Sequence, residues 1–381
     1  MQELKRFGFD IRVFCEPKVF RTLRPSERVD FNPLYFSISD LICSLTLLVL
    51  KGWSLYRRLG KGNRLRSEMF FDRFCLSYSY LSFFYRNISY IRPSCVLTAN
   101  DHNVQNRCFI AIANYLDCRT AYLQHASVSK FFPALSVDWA FLDGKASEEI
   151  YVKCQTNRPD RASRKFVSIF HTGQKKILTT SDRGNTSIGL AVNAFIDLET
   201  IESVYNLTLF FGYKLHLRWH PTQESVDIEQ LKRKYGSRDS VILSDPSKED
   251  VASYLSRLRY LVAGNSSIHL EAALAGVVPL YFETSDFVSW DYYGYVKKGI
   301  SFDLQNLETL RDILNEKVKV ELSLESLRYY SATYQTVWQN REGELVAKLL
   351  VRLCHGGSFT SASEVQYQNN TRIISLESMD I

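Results

Sequence analysis

Tyr260 to Glu283 reads YLVAGNSSIHLEAALAGVVPLYFE, and this stretch decides the fold class. Tyr260-Leu261-Val262-Ala263 is a short apolar run with strand character, and Gly264-Asn265-Ser266-Ser267 is a tight polar turn. Ile268 to about Ala275 then has helical composition. Gly276 stands where a left-handed helix cap is wanted, and Val277 to Phe282 forms a second apolar strand. The first N–H groups of such a helix have no intrahelical partner. Together with the hydroxyls of Ser266 and Ser267 they make an anion site, which the helix dipole strengthens. Glu271 comes one helical turn after Ser267 on the same face, where a carboxylate can accept hydrogen bonds from sugar hydroxyls. Taken alone, the turn reads more readily as a plain N-cap, the commonest use of serine before a helix.

Working outward, Tyr213 to Pro221 (YKLHLRWHP) is a strand that ends at His220-Pro221. Pro221 cannot continue a ladder and holds the residue before it extended, so His220 sits at the strand's carboxyl end. Ligands of open α/β sheets bind outside those ends. A histidine there, beside Arg218 and facing a helix N-terminus, can donate to a phosphate. Asp245 to Asp250 (DPSKED) opens a further helix with proline and acids at its start.

The run HPTQES, followed by SDPSKEDVASYLSRLRYLVAGNSSIHLEAALAGVVPLYF, resembles the nucleotide-binding half of bacterial GT-B glycosyltransferases that carry a His-Pro and a Ser-Ser motif. These include sialyl- and Kdo-transferases of capsule and lipopolysaccharide synthesis and the CDP-glycerol glycerophosphotransferases. The resemblance implies two Rossmann-like doubly wound α/β domains facing a cleft, and a nucleotide-activated donor, often of cytidine. It carries the phosphate-binding role onto His220-Pro221 and onto Ser266 and Ser267, and a ribose contact onto Glu271.

The length suits roughly two domains. Apolar residues make up 45% of the chain and aromatics 13%, a globular composition rather than a disordered one. The formal charge of +6 suits an anionic partner. No dense basic run of the kind a nucleic-acid binder shows is present, so nucleic acid is not expected as a partner. The eight cysteines form no CxxC and no paired spacing, which favours reduced thiols in the cytoplasm over disulfides or a zinc site.

In chain order, Gly8 to Phe14 reads as a strand that a doubly wound domain would place second. The N-terminal domain is therefore expected to lack its first strand. Ile38 to Arg66 holds an apolar segment whose uninterrupted part is too short to span a bilayer. It reads either as a core helix or as an interfacial one, with Trp53 and Tyr56 at the boundary and Arg57, Arg58, Lys61, Arg64 and Arg66 toward lipid phosphates. An interfacial helix would fit an enzyme acting on a lipid-linked glycan at the inner face of the cell membrane.

From Ser94 an α/β rhythm sets in. Strands at Cys95–Thr98, 119–123 and 139–142 end in Asp101-His102, Gln124-His125 and Asp143, which form one rim of a cleft. His125 in YLQHAS resembles the strand-end HG histidine of the related transferases, with Ala126 in place of glycine. Asp143 in FLDG resembles the acidic-Gly base motif of bacterial sialyltransferases, with one acid instead of two. A general base for an acceptor hydroxyl is a histidine or a carboxylate. The candidates, in order, are His125, Asp101 and Asp143. Arg158 to Lys165 is a polar link, so the expected domains are 1–160 (acceptor) and 161–355 (donor), with 356–381 as a polar flexible tail. Asn193 and Arg183 are further donor-phosphate candidates. The segment from Leu322 to Cys354 reads as helix, and the resemblance has the last helix crossing back to the first domain. No Walker A, G-x-G-x-x-G, H-E-x-x-H or DxD metal pattern stands out.

These readings converge on a metal-independent transferase without cofactor. It moves a sugar or alditol phosphate from a nucleotide donor to a surface polysaccharide or lipid-linked glycan. Two alternatives stand beside it, a UDP-sugar 2-epimerase and a non-catalytic nucleotide-sugar-binding protein.

Overall fold

A computed structural model describes residues 2–156, 166–182, 186–192, 197–221, 223–283, 289–357, 366–368 and 371–376. Val13–Cys15 (β1) and Phe31–Pro33 (β2) pair in parallel as a small separate sheet. Phe14 of β1 packs edge-on to Phe83, Phe84 and Phe109, outside the large sheets. The strand expected at Gly8 to Phe14 is thus short and belongs to neither large sheet.

Cys95–Thr98 (β3), Arg119–Leu123 (β4), Trp139–Leu142 (β5) and Val167–His171 (β6) run in sequence across the first large sheet. The second contains Ser187–Val192 (β7), Lys214–Trp219 (β8), Val241–Ser244 (β9), Tyr260–Ala263 (β10), Val278–Tyr281 (β11) and Phe302–Asp303 (β12). Gln366–Gln368 (β13) and Thr371–Ile374 (β14) return to the first sheet, which is ordered β13-β14-β6-β5-β4-β3. All pairings in the two sheets are parallel except β13 with β14. This is the two-sheet α/β architecture expected.

Three expectations change. The division near 160 falls too early, because β6 belongs to the first sheet. The stretch 356–381 is not simply a free tail, since β14 pairs with β6 and buries Ile373 and Ile374. The polar residues that precede Thr371–Ile374 give this short strand the look of a tail, and only its pairing with β6 reveals it. The helix expected over Leu322 to Cys354 is broken into Leu324–Tyr330 and Glu342–Cys354. The break is where the chain crosses between the sheets, and its Thr333 is fully buried.

The last helix does pack on the first sheet. Leu345, Leu349 and Leu350 meet Phe141, Phe170 and Ile374 in one buried cluster. Each such side chain contributes roughly 2 kcal/mol on burial, so this crossing ties both halves into one body. Two glycines permit it. A Cβ at Gly144 would stand 2.8 Å from the Tyr329 carbonyl oxygen. Gly173 has φ +72°, and a Cβ there would stand 1.8 Å from Thr333 Oγ1.

The second sheet is ordered β12-β11-β10-β7-β8-β9. From β7 the chain winds one way through β8 and β9, then returns to the other side of β7 for β10 to β12. The winding reverses between β7 and β10, and the carboxyl ends of two such strands open a crevice. β8 reads as apolar alternating with polar, yet Leu215 to Trp219 are all buried. It is a central parallel strand covered on both faces.

Candidate active site

The Tyr260–Glu283 stretch folds largely as its composition implies. The helix is Ile268–Leu274, and Gly276 has φ +81°. Val277 N–H donates to Ala272 O at 2.9 Å and Gly276 N–H to Ala273 O at 3.0 Å, a Schellman closure. The Gly264-Asn265-Ser266-Ser267 turn leaves β10 at the switch point. Ser267 occupies the N-cap position but its side chain makes no capping bond. Ser266 Oγ accepts only a long 3.4 Å bond from Ile268 N–H. The plain capping reading therefore fails for Ser267, and its hydroxyl is available to a ligand.

Asn265 fastens the turn instead. Its backbone N–H and its amide donate to Glu283 at 2.9 and 3.2 Å, and its Oδ1 accepts from Tyr292 N–H at 2.9 Å. Beneath the turn, fully buried His269 donates through Nε2 to Gly264 O at 2.8 Å. Burial pushes its pKa down to about 4 against the opposing contacts with the backbone of Gly264 and Ala263, so it is a neutral structural histidine.

His220 and Pro221 stand exposed just past β8. With β7 between β8 and β10, the His220 turn and the serine turn are separated by roughly 10 Å, two strand spacings. Arg218 does not join them. Its guanidinium donates to Ser244 Oγ at 2.7 Å and Glu249 O at 3.0 Å and lies over the Tyr254 ring. It is buried because β8 is covered on both faces, and it holds the loop after β9. Glu271 lies on the expected face but is buried and ion-paired with Lys176 from the inter-sheet segment. Asn193 and Arg183 lie outside the described residues.

Across the cleft, the three base candidates differ. His125 is exposed at the end of β4. Gln124 beside it is buried, accepting from Asp143 N–H at 2.9 Å and donating to Ala126 O at 3.0 Å. Asp143 is turned inward and receives Lys175 Nζ at 2.8 Å. Burial pushes its carboxyl above the usual range despite Lys175, and pushes the Lys175 amine down despite Asp143. Asp143 is tied to the chain crossing, since its carbonyl accepts from Gly173 and Ala332 N–H groups. This placement argues against Asp143 as the base.

Asp101 is buried and accepts from Tyr151 OH at 3.0 Å, and Tyr151 OH also bonds Tyr122 OH at 3.1 Å. Its other oxygen lies 3.4 Å from Nδ1 of His102, whose side chain is 46% exposed. A buried carboxylate behind an accessible imidazole is the arrangement that orients a general base. The sequence puts His102 on the rim, and the adjacent Asp-His pair is the signal that points to its role.

The halves meet through polar and aromatic contacts. Ser127 Oγ lies 2.5 Å from Tyr295 OH, Tyr292 OH donates to Ser129 Oγ at 2.8 Å, and Tyr292 stacks on Phe131. Between them is a cavity of about 210 Å³ lined by Gln124, Ser127, Asp143, Leu270, Tyr293 and Lys298, among others.

No protein-family model matches the chain, and no curated protein matches it either. Among solved structures it is similar to CalG4, the calicheamicin glycosyltransferase, at 9% identity over 93% of this chain and 91% of that one, with a TM-score of 0.50. It is also similar to MurG of Acinetobacter baumannii, at 11% identity over 92% and 93% of the two chains, TM-score 0.45. The UDP-GlcNAc 2-epimerase of Neisseria meningitidis bound to UDP-GlcNAc matches at 12% over 74% and 81%, TM-score 0.48. At such identity the CalG4 likeness, nearly full length in both chains, speaks for the fold: this is a GT-B architecture of two Rossmann-like halves.

Proposed function

We propose that this chain is a GT-B glycosyltransferase that binds a nucleotide-activated sugar or alditol phosphate at the second sheet and transfers it to a glycan acceptor held by the first. One observation carries the reading. The winding reversal of the second sheet falls at the turn bearing Ser266 and Ser267, and the Ser267 hydroxyl is not consumed by capping. In this reading the N–H groups of that turn, the two serines and His220 stabilise the charge that develops on the leaving phosphate, and no metal is invoked. Lys176 holds Oε1 of Glu271, and the other carboxylate oxygen is assigned to the ribose. On the facing side, His102, oriented by Asp101, takes the proton of the acceptor hydroxyl, and His125 lines the same rim. A cytidine donor, a capsule or lipopolysaccharide acceptor and a cytoplasmic location rest on the motif resemblance. Among the described residues no cysteine is in a disulfide.

A product assay tests this. The protein is incubated with CMP- and UDP-activated sugars, with and without an oligosaccharide acceptor. Acceptor-dependent nucleotide release with a lengthened glycan is expected. A C2 epimer formed without acceptor would replace the proposal by the epimerase reading. Absence of any turnover would leave a binding protein.

A further inference from the structure

The helical arm of residues 38–91 is built inside out. Ile38–Leu47 is joined through a π-turn, Leu48–Gly52, to Trp53–Arg58. The side of this helix facing the body is polar or small. Asp40 receives Arg86 at 2.6 Å and caps the helix with Ser37. Ser44 accepts from Ser79 at 3.0 Å, and Gly52 lies against Tyr78. The outward side carries Ile42, Leu45, Val49, Leu50 and Trp53, each more than 60% exposed. A helix on a water-soluble body has the opposite pattern, with its apolar stripe inward.

The stretch Ile38–Arg58 is long and apolar enough by length and composition to cross a membrane, longer than the uninterrupted apolar core suggested. Its contacts indicate that it lies flat instead. Phe36, just before it, packs edge-on to Tyr80, and Asp40 and Ser44 are bonded to Arg86 and Ser79 of the following helix, Phe71–Ile91. The helix is therefore held along the body rather than free to leave it. Beside the apolar face, Lys51, Arg57, Arg58, Lys61 and Arg66 are exposed, against Glu68 and Asp72.

We propose that this arm docks the protein on an anionic lipid surface. The apolar face is immersed at the headgroup–acyl boundary and the arginine and lysine side chains contact lipid phosphates. The inference is independent of the sugar-transfer reading. Charge complementarity selects the occupant, since a second copy of this chain would bring the same positive cluster against itself.

The test is co-sedimentation of the full chain with vesicles of phosphatidylcholine containing about one-third phosphatidylglycerol, and with phosphatidylcholine alone. Binding to the anionic vesicles is expected, with a blue shift of Trp53 emission that Trp53→Phe removes. Affinity should fall at least about tenfold on neutral vesicles, in high salt, or in Arg57→Glu/Arg58→Glu. Leu45→Glu/Leu50→Glu should lose binding while its circular dichroism and melting temperature stay those of the parent. Equal affinity for both vesicle types, or none, overturns the proposal. So does a dimer in sedimentation equilibrium that Leu45→Glu/Leu50→Glu separates, because the face would then be covered by a second copy.

Discussion

His102→Ala is expected to lower the turnover of sugar transfer by roughly 10²- to 10⁴-fold, the usual worth of a general base, while donor affinity stays within about twofold of the parent. The expectation follows from placement. His102 stands at the carboxyl end of β3 with Nδ1 3.4 Å from Asp101, and the donor turn is on the opposite sheet. Asp101→Asn keeps the shape but removes the charge that orients the ring, and a smaller fall in the same rate is expected. His125→Ala serves as the comparison. If it abolishes turnover while His102→Ala leaves the rate near the parent value, the base is His125 and the Asp101–His102 pair is structural.

The second large effect concerns acid stability. His216 and His269 are buried and neutral, and burial pushes each pKa from 6.5 to about 4, with Arg257 adding to the effect at His216. In the unfolded chain both take up protons near pH 6.5, whereas the folded chain refuses them until about pH 4. Their contribution to stability is thus complete above pH 6.5 and is lost progressively as the pH falls to 4. At about 1.4 kcal/mol per pKa unit, each accounts for roughly 3 kcal/mol over that window as an upper figure. The melting temperature should therefore fall steeply between these limits. His269→Gln keeps a donor for Gly264 O but does not titrate, so it should show a shallower fall. A parent melting temperature that is flat from pH 6.5 to 5 would contradict the buried neutral assignment.

Much of the second half was legible because its signals are local. The Tyr260–Glu283 unit has an apolar strand, a Gly-containing turn and a Gly cap in order, and each imposes backbone geometry without help from distant residues. The strand ending at His220 was equally plain, since Pro221 stops it. What escaped was set by tertiary contacts. The return of β14 to the first sheet depends on pairing Ile373 with Ile169, residues distant in sequence. The break between Tyr330 and Glu342 depends on the fit of Thr333 against Gly173. Nothing in the residues neighbouring either feature announces it.

The site divides in the same way. Ser266, Ser267 and His220 were readable as strand-end residues, whereas the inward turn of Arg218 and Asp143 depends on which faces become covered. Asp101–His102 shows the reverse case. The residues were seen on the rim, but their order as carboxylate and oriented imidazole emerged only with the buried Tyr151 behind Asp101. The outward apolar face of the 38–58 helix likewise cannot be read from composition, because Asp40 and Ser44 look like its solvent side until Arg86 and Ser79 are placed against them.

The donor site is tested most directly by binding of CMP, CDP, UMP, UDP and GDP, followed by thermal stabilisation and titration calorimetry, to the parent chain, Ser266→Ala/Ser267→Ala and His220→Ala. A base-selective interaction is expected, for a cytidine nucleotide, that each variant weakens about tenfold or more while the unliganded melting temperature is unchanged. Binding that neither variant alters, or no binding of any nucleotide, would contradict the placement of the donor at the β7–β10 switch point.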